Sequence, residues 1–453
     1  MKKLITLLLA LAMVLSLAAC GASEPAPAPT EASKAETPAA PEAPKEDAPA
    51  AKEPVTLRFY NYALSEVAKA AWWEETIKNF EAEYDWITIE PISVDYNSMV
   101  NTLTNDLASG LSADMIYGEI SWVPALAEAG FIDTPDNVLS ADFYAGYHDY
   151  VLENFKYNDA IYGIPHYMTN WIIFVNKDLI EAAGLSMDNF PTTEEDLKSW
   201  IETLAAHYKG SDVSTIFGMT TAEVPATGMA LNGLYTAFGG TLFNEDGSLA
   251  DLTSDVNKTA MSEMLGFCNY LIGNGYTQEN LKLKDYRAAF GAGNVCMYVD
   301  QAWGYAQIGE VDPNASSFTV TAPLPTKLGT NGKGNSLVSA HAFLLGADMA
   351  PANKEAVDLF IQYCTRNDTM EYYLNNIGLA FAAHENMADF ATSPILAGAA
   401  TGVSNVVYQP MPAALSSVQV QLASPALNYT INGMSLEEAI ADYITQAEYY
   451  MNQ

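Results

Sequence analysis

Residues 171–185, WIIFVNKDLIEAAGL, contain the transition that decides the fold. A buried strand is predicted over residues 170–175, because a short apolar run of this length is typical of such a strand. A helix follows from Lys177 and ends at Gly184, since glycine readily adopts the left-handed backbone that closes helices. The next helix is expected to begin at Thr193, where Thr193-Glu194-Glu195-Asp196 has the pattern of a capping box. A buried strand followed directly by helices is typical of an α/β fold.

The same alternation extends toward the N-terminus. We predict strands over residues 55–60, 86–92 and 114–117, and helices over residues 64–83, 96–109 and 122–128. Alternating strands and helices build a mostly parallel sheet that is covered by helices on both faces. Ligands of such sheets bind at the carboxyl ends of the strands. The loops at residues 60–62, 95–97 and 118–121 are therefore the first candidates for a site.

Beyond residue 165 the pattern becomes richer in helix. Further helices are predicted over residues 253–272, 353–363, 368–375 and 435–449, and further strands over residues 295–299, 318–321 and 337–345. In the helix predicted at 64–83, the spacing of Val67, Ala71, Ile77 and Phe80 indicates a shared buried side.

The charge balance excludes several classes of partner. The 453 residues include 20 Lys and Arg against 55 Asp and Glu, a formal net charge of −35. Binding to nucleic acid and to anionic lipid depends on Lys and Arg, so this balance argues against both. Arg occurs only at Arg58, Arg287 and Arg366. Because Arg is the usual bidentate partner of carboxylates and phosphates, an anionic ligand is disfavoured at this point.

Residues 1–19 are predicted to be a signal peptide. The basic start Met1-Lys2-Lys3 is followed by an uncharged apolar run at 4–17, which is short for a permanent membrane span. Leu17-Ala18-Ala19-Cys20-Gly21 resembles a bacterial lipobox. The resemblance implies cleavage before Cys20 and a diacylglyceryl thioether on its sulfur, and two acyl chains anchor a protein stably. The alternative is an ordinary cleaved signal peptide with a chance cysteine.

Residues 20–54 are predicted to be the lipidated cysteine and a disordered spacer. Residues 21–54 contain eight Pro and eleven Ala and no aromatic residue. Such a segment buries too little apolar area to offset its ordering entropy. Beyond the spacer, the odd number of cysteines, Cys268, Cys296 and Cys364, predicts buried free thiols.

A series of short motifs follows a consistent order through residues 55–453. The strongest block runs from Ile164-Pro165 through 171–179 and Ala182-Ala183-Gly184-Leu185 to 191–197. Weaker blocks are Ala108-Ser109-Gly110 with Asp114, Gly239-Gly240 with Asn244-Glu245-Asp246-Gly247, Phe290 with Gly293, Met297 and Trp303, and Pro323-Leu324-Pro325. In order and spacing they resemble the extracellular solute-binding proteins of bacterial ABC importers, the maltose-binding-like family of sugar-binding lipoproteins.

The resemblance implies an α/β, two-lobed, periplasmic-binding-protein-like fold. Each lobe would be a mostly parallel sheet flanked by helices, and hinge strands near residues 165–170 would join the lobes around a ligand. Lobe 1 would comprise residues 55–167 and 317–365. Lobe 2 would comprise residues 168–316 and 366–453.

The resemblance also nominates Trp303 and Asp300 as ligand-binding residues. Trp303 occupies the place of a ligand-stacking Trp, and an indole ring suits the CH face of a sugar. The alternative is a core Trp at the start of a helix. Asp300 replaces a residue that is usually small in the family. Its carboxylate could bind sugar hydroxyls or a cation, or it could cap the helix expected at 302–309.

Other candidates come from the loops that follow the predicted strands. Glu119, Ser121 and Trp122 occupy a loop that binds ligand in the family, although Glu119 could equally belong to a solvated acidic surface. Tyr60, Asn61 and Tyr62 follow the first strand and offer stacking and hydrogen bonds. The remaining predicted ligand-binding residues lie at the hinge and on later segments of the chain. They are Tyr167, Thr169, His341 and Tyr408.

Three of these positions depart from the pattern of the family. Thr169 lies where some relatives carry a Glu. Tyr408 is slightly displaced from a second stacking aromatic residue of maltose binders, which makes a maltodextrin ligand doubtful. His341 lies near a presumed cleft loop, although a lone His is more often structural or solvated.

Signals for an enzyme are poor. The sequence contains no His-Glu-x-x-His, no Gly-x-Ser-x-Gly and no phosphate loop. Its five His residues show no spacing typical of metal ligands. We therefore expect no catalytic residue, no metal and no cofactor.

Three hypotheses follow. The first is a monomeric receptor, lipid-anchored at the extracellular face of the cell membrane, that captures a neutral mono- or oligosaccharide and delivers it to the permease subunits of an ABC importer. The second keeps this architecture but binds a polyamine or another cation through Asp300 and Glu119. The third, a surface glycoside hydrolase, would need a pair of carboxylates, which so acidic a sequence cannot identify.

Overall fold

The computed structural model describes residues 52–222, 225–324, 336–378, 380–387, 406–407 and 409–452, together with positions 393, 395 and 397. The predicted signal peptide, Cys20, most of the predicted spacer and Tyr408 lie outside these residues.

Six of the seven predicted strands begin within one residue of their predicted positions, whereas the strand predicted at 170–175 begins at Gly163, and the remaining strands were not predicted. The strands are β1 Val55–Asn61, β2 Ile87–Ser93, β3 Met115–Glu119, β4 Ile132–Asp133, β5 Lys156–Tyr157, β6 Ala160–Ile161, β7 Gly163–Asn176, β8 Thr215–Gly218, β9 Val295–Gln301, β10 Thr319–Pro323, β11 Ser336–Gly346, β12 Phe381–Ala382 and β13 Val406–Val407.

The helices include several that the sequence pattern did not indicate. They are α1 Val67–Glu83, α2 Met99–Ala108, α3 Val123–Glu128, α4 Ala141–Tyr144, α5 Asp149–Leu152, α6 Lys177–Ala182, α7 Glu194–His207, α8 Pro225–Ala237, α9 Asp255–Gly273, α10 Leu283–Gly291, α11 Tyr305–Val311, α12 Lys354–Cys364, α13 Asn367–Tyr372, α14 Leu415–Val420, α15 Ala423–Thr430 and α16 Leu436–Met451. A π-helical turn, Tyr373–Ile377, continues α13.

The main sheet has the strand order β2-β1-β3-β11-β7-β9-β8. It is parallel at both ends, where β2, β1 and β3 run together and β8 runs with β9. At its centre, β11 is antiparallel to β3 and to β7, and β7 is antiparallel to β9. The α/β class predicted from alternating strands and helices is confirmed.

β7 connects the two parts of this sheet. Its residues 163–170 pair with β11, and residues 171–176 pair with β9 and β10. All 14 of its residues are buried. A strand covered on both faces has a nearly continuous apolar sequence, which is why residues 171–175 gave so clear a signal.

The ends of the neighbouring helices follow from local sequence. At the start of α7, the Thr193 hydroxyl accepts a hydrogen bond from the backbone N–H of Asp196 at 3.1 Å, so the predicted capping residue is confirmed. After α6, Gly184 has φ +81°, a left-handed conformation that costs glycine little.

The buried side of α1 differs from the prediction. Ile77 and Phe80 are buried as expected, but the side chain of Val67 is 76% exposed and Ala71 is also exposed. The buried stripe instead begins with Lys69 and continues through Trp73. α1 therefore carries a cation into the interior of the protein.

The three cysteines of the folded part, Cys268, Cys296 and Cys364, are free and buried, as predicted. Burial raises the pKa of the Cys268 thiol to about 12. Within the described residues, none of the helices combines the length and the apolar character that a membrane crossing requires.

Candidate functional site

A cleft lies where the carboxyl-terminal loops of β1, β2 and β3 face α8, α10 and the end of β9. It consists of two larger cavities of about 370 and 360 Å³ and a small one of about 40 Å³. Met229 lines all three, so the cavities adjoin one another and are described together as one cleft. A separate groove of about 1120 Å³ between α7 and α9 shares none of these lining residues.

The 370 Å³ cavity is called the charged arm, because side chains of both signs line it. Its first wall contains Ser65, Glu66, Val67, Asp95, Tyr96 and Asn97. Its second wall contains Trp171, Ala226, Met229, Lys282, Leu283, Lys284, Arg287, Gln301, Trp303, Gln307 and Glu310.

A buried ion pair supports the second wall of the charged arm. The Arg287 guanidinium donates to Asp300 through Nε at 2.7 Å and through Nη2 at 2.8 Å. The exposed fraction is 5% for the Arg287 side chain and 0% for Asp300. Burial disfavours the charge on Arg287, but the pairing with Asp300 more than offsets it and holds the pKa of the guanidinium above its ordinary value. The Asp300 carboxylate is therefore already paired with the Arg287 guanidinium.

The Trp303 ring is surrounded by polar and cationic groups. The Cζ atom of Arg287 and the Nζ atom of Lys69 each lie 4.4 Å from the ring centroid, a distance at which a cation is attracted to an indole face. The indole N–H donates to the side-chain oxygen of Gln301. Trp303 is half-buried and lines the charged arm, so it is positioned in the cleft and not in the core.

Lys69 reaches Trp303 from the opposite wall. Its ammonium nitrogen lies 2.7 Å from a carboxylate oxygen of Glu66. Burial lowers the pKa of Lys69, and the facing carboxylate of Glu66 opposes that shift. The Lys69–Trp303 contact therefore links α1 to the segment that follows β9.

The 360 Å³ cavity is called the neutral arm, because none of its lining residues is charged. They are Tyr96, Asn97, Val100, Asn101, Ser121, Trp122, Ala125, Pro225, Met229, Ala413, Ser416, Ser417, Gln419, Val420, Gln421 and Tyr450. The rings of Tyr96 and Trp122 lie 5.2 Å apart. An uncharged wall of rings, hydroxyls and amides suits a neutral polar ligand.

Glu119 lines the small cavity between the arms. Its carboxylate accepts hydrogen bonds from the Ser121 hydroxyl, from the Ser121 backbone N–H at 3.0 Å and from the Ser339 hydroxyl at 2.8 Å. Burial raises the pKa of Glu119, and these hydrogen bonds oppose the shift. Glu119 is the only carboxylate among the described residues that line this cavity.

Three amide side chains at or behind the cleft have a buried polar atom that forms no hydrogen bond with a described residue. They are Nε2 of Gln301, Nε2 of Gln409 and Oδ1 of Asn232. The other ends of two of these amides bind each other, since Asn232 donates to Gln409 at 2.8 Å. A buried polar atom without a partner is costly, and two of these amides, Gln301 and Gln409, line the small cavity where a ligand's hydroxyl groups could pair with them.

The family model for the bacterial extracellular solute-binding proteins matches residues 63–371 of this sequence. The chain belongs to this family. Its members are extracellular solute-binding proteins of bacteria. Separately, solved structures with a similar fold include solute-binding proteins of ABC transporters.

Solved solute-binding proteins share the fold over most of the chain. A solute-binding protein of Thermotoga lettingae in complex with α-D-tagatose is 19% identical, with a TM-score of 0.75 over 88% of this chain and 100% of its own. The GacH receptor of Streptomyces glaucescens, solved with acarbose, is 17% identical, with a TM-score of 0.74 over 88% of this chain and 98% of its own. UgpB of Mycobacterium tuberculosis, bound to glycerophosphocholine, is 17% identical, with a TM-score of 0.73 over 89% of this chain and 99% of its own. The two-lobed fold class is thus confirmed.

Four of the predicted ligand residues line the cleft in this member of the family. Trp303 lines the charged arm, Trp122 lines the neutral arm and Glu119 lines the small cavity. Ser121 lines both the neutral arm and the small cavity. Their ligand contacts remain predictions. Tyr408 lies outside the described residues.

Three predicted residues form a buried layer behind the cleft. The His341 ring lies between the ring of Tyr167, which stacks on it at 5.1 Å, and the hydroxyl of Tyr62, which is hydrogen-bonded to its Nδ1. Burial lowers the pKa of His341 well below its ordinary value, and the Lys69 charge adds to the shift. These residues are buried and line none of the cavities described above, so they support the walls.

The side chains of the remaining four predicted residues form hydrogen bonds or ion pairs with other groups of the protein. Tyr60 donates to Asp106 at 3.0 Å, Asn61 caps the turn after β1, and Thr169 accepts from the backbone N–H of Ala302 at 3.3 Å. None of these three residues lines a cavity of the cleft. Asp300 is neutralised by Arg287, and this pairing removes the main acid of the cation hypothesis.

The sequence analysis assigned no ligand role to Trp171, Met229, Arg287, Gln301 or Lys69. One signal was available for Lys69, which precedes Trp73 by four residues on the apolar side of α1. The others lie on segments whose proximity depends on the tertiary fold.

Proposed function

We propose that this protein is the substrate-binding component of a bacterial ABC importer and that it captures a saccharide in the cleft. It then delivers the saccharide to the permease subunits as a monomer. The observation that carries the proposal is the cleft of adjoining cavities in which aromatic rings lie beside amides whose buried polar atoms have no partner.

The chemistry of the cleft suits a saccharide. A sugar ring has apolar CH faces, which pack on aromatic rings such as those of Trp122 and Tyr96, and hydroxyl groups at its edge, which pair with amides and serines. Gln301, Gln409 and Ser121 supply such groups along the cleft. Two proteins of the same fold were solved with α-D-tagatose and with acarbose, which supports a saccharide ligand for this chain.

Capture would proceed by closure of the two lobes over the ligand. β7 is the long strand that pairs with β11 in one part of the sheet and with β9 in the other, and we place the hinge in β7 near residues 165–170. Hinge closure concentrates large backbone changes in a few residues and leaves each lobe intact. The lobe boundaries are those that the family resemblance implies, 55–167 with 317–365 and 168–316 with 366–453.

The test of ligand class is a thermal-shift screen of the folded part, residues 52–453, against mono- and oligosaccharides and polyamines. A ligand at ~100 times its dissociation constant stabilises the native state by about 2.7 kcal/mol. We expect saccharides to raise the melting temperature and polyamines to leave it unchanged. Stabilisation by polyamines alone would contradict the proposal.

Trp303→Ala provides the residue-level test by calorimetric titration with the saccharide found in the screen. Truncating a buried aromatic at a binding centre typically costs ~2–4 kcal/mol, so affinity should fall by more than about tenfold. Trp200→Ala is the matched control, because Trp200 is also half-buried but lies on α7, outside the cleft. Unchanged affinity of Trp303→Ala would remove this ring from the binding site.

We further propose that acylated Cys20 is the sole membrane anchor and that residues 21–54 hold the folded part away from the membrane. Cys20→Ala should release the protein into the medium or leave it unprocessed. Mature-size Cys20→Ala protein that stays in the membrane fraction would contradict lipid anchoring.

A further inference from the structure

The cleft is electrostatically divided along its length. Lys282, Lys284 and Arg287 line the charged arm, whereas none of the residues that line the neutral arm is charged. The whole chain has a formal net charge of −35. A group of cations in one arm of one cleft is therefore unusual for this protein.

Arg287 retains hydrogen-bonding capacity at the charged arm. A guanidinium has five N–H donors. Two are donated to Asp300, and one from Nη1 goes to Gln307 at 3.2 Å. Among the described residues, none accepts the two that remain. Because Asp300 holds the guanidinium in place, these donors are already ordered before a ligand arrives.

Lys282 and Lys284 add two positive charges to the charged arm. Both are exposed, and neither forms an ion pair with a described residue. They flank the first residue of α10, whose N-terminus adds a partial positive charge. Both lysines therefore remain available to a ligand in the charged arm.

The acids of this arm are partly engaged by the protein. Glu66 pairs with Lys69 at 2.7 Å. Asp95 accepts a hydrogen bond from the Asn97 backbone N–H at 2.9 Å, at the start of a helical turn. Glu310 is exposed and lines the same arm on α11, three residues after Gln307. The unused donors and cations thus cluster around Arg287 and the start of α10.

We propose that the charged arm receives an acidic substituent, a carboxylate or a phosphate ester, on a saccharide whose uncharged part occupies the neutral arm. The inference rests on the saccharide-binding function proposed above and refines its substrate class. It also reverses the expectation, drawn from the scarcity of Arg, that an anionic ligand is disfavoured, because one of the three Arg residues lies at the cleft. Arg287 would bind the acidic group directly, and Lys282 and Lys284 would attract and retain it.

The test compares probes that share a sugar skeleton and differ in charge. D-glucuronate, D-glucose 6-phosphate and D-glucose are titrated calorimetrically into the folded part, together with digalacturonate and a neutral galactose disaccharide. We expect at least one acidic probe to bind about tenfold or more tightly than its neutral counterpart. This preference should shrink between low salt and ~0.3 M salt, because screening weakens exposed charge pairs. Comparing the affinity for D-glucuronate with the affinity for D-glucose 6-phosphate shows whether the arm prefers a carboxylate or a phosphate.

The decisive variant is Lys282→Gln combined with Lys284→Gln. Both side chains are exposed, so the fold should be kept, and the preference for the acidic probe should be lost. The control is Lys209→Gln combined with Lys258→Gln, which changes the net charge equally at two exposed positions outside the cleft.

The possible results distinguish a failure of the acidic-substituent proposal from a failure of the saccharide-binding function. Equal binding of acidic and neutral probes, or a preference that survives in the double variant of the cleft, would overturn the acidic substituent and leave the saccharide-binding function standing. Failure of every saccharide to bind would overturn both.

Discussion

At the scale of the residue, Asp300 shows how burial decides the role of a carboxylate. From the sequence it was a candidate to hold a sugar or a cation, but in the structure it is fully buried and accepts two hydrogen bonds from Arg287. A charge removed from water is stable only with a close partner. Asp300 therefore holds in place Arg287, which lines the cleft.

Asp300→Asn should destabilise the protein strongly, because it leaves the Arg287 charge buried and unpaired. Removing one partner of a buried ion pair typically costs ~3–5 kcal/mol. Urea denaturation should show this fall in the free energy of unfolding, and Asp188→Asn, at an exposed position, should change it little. Wild-type stability of Asp300→Asn would mean that water or other groups already compensate Arg287.

His166 should make the stability depend on pH. It is fully buried, and its Nδ1 lies 2.8 Å from the Tyr117 hydroxyl. Burial lowers the pKa of His166 to about 3, although the carbonyl of Cys364 favours the charged form. A lowered folded-state pKa gives stability that is present above the ordinary value near 6.5 and is lost as pH falls toward about 3.

From pH 7 to pH 5, His166 alone should remove about 2 kcal/mol from the free energy of unfolding. Chemical denaturation at the two pH values should show a smaller difference in His166→Gln than in the wild type. His207→Gln, which alters an exposed His, should keep the wild-type difference. An identical difference in all three proteins would mean that His166 does not titrate on unfolding.

At the scale of the element, α8 shows how a helix can position a cleft residue through the absence of a side chain. Gly233 lies inside α8, and a Cβ atom there would be 2.7 Å from Cδ1 and Cγ of the Trp171 ring. Trp171 and Met229, the latter one turn earlier on α8, both line the cleft. The glycine allows α8 to approach β7 closely.

Gly233→Ala should therefore weaken saccharide binding and lower the melting temperature, because the Trp171 ring must move. Gly266→Ala in α9 is the matched control, since an added Cβ at that helical position meets no atom within 4 Å. Replacing glycine by alanine in a helix normally stabilises by roughly 0.5–1 kcal/mol. Melting curves and titrations that change alike in both variants would contradict a packing role for Gly233.

At the scale of the whole molecule, contacts cross the cleft at several points. The Tyr96 hydroxyl lies 3.5 Å from the sulfur of Met229, and the Ser416 hydroxyl donates to the carbonyl of Ser121 at 3.2 Å. Lys69 contacts the Trp303 ring from the other wall. These few contacts, together with β7 and β11, are what a closing motion would make or break.

Small-angle scattering should therefore show a smaller radius of gyration when the saccharide identified by the screen is bound at saturation. Hinge closure moves two rigid parts toward each other, so the change should appear in the overall dimensions while the secondary structure measured by circular dichroism stays constant. An unchanged scattering profile at saturation would argue for a rigid cleft.

The sequence by itself determined the α/β class, most strand positions and the family, because these depend on local signals. The apolar run of β7, the capping threonine of α7 and Gly184 after α6 act within a few neighbouring residues. α8 gave no comparable signal, since it is buried on nearly every side and lacks the polar face that produces a helical period.

Only the tertiary structure decided which polar residues face the cleft. Arg287 and Asp300 are 13 positions apart, and Lys69 meets Trp303 across more than 200 residues. Whether such groups pair with each other or remain free for a ligand depends on distances of a few ångströms, because a buried charge requires a nearby partner. No local pattern contains those distances, so the sequence indicated the region of the site and the fold selected its residues.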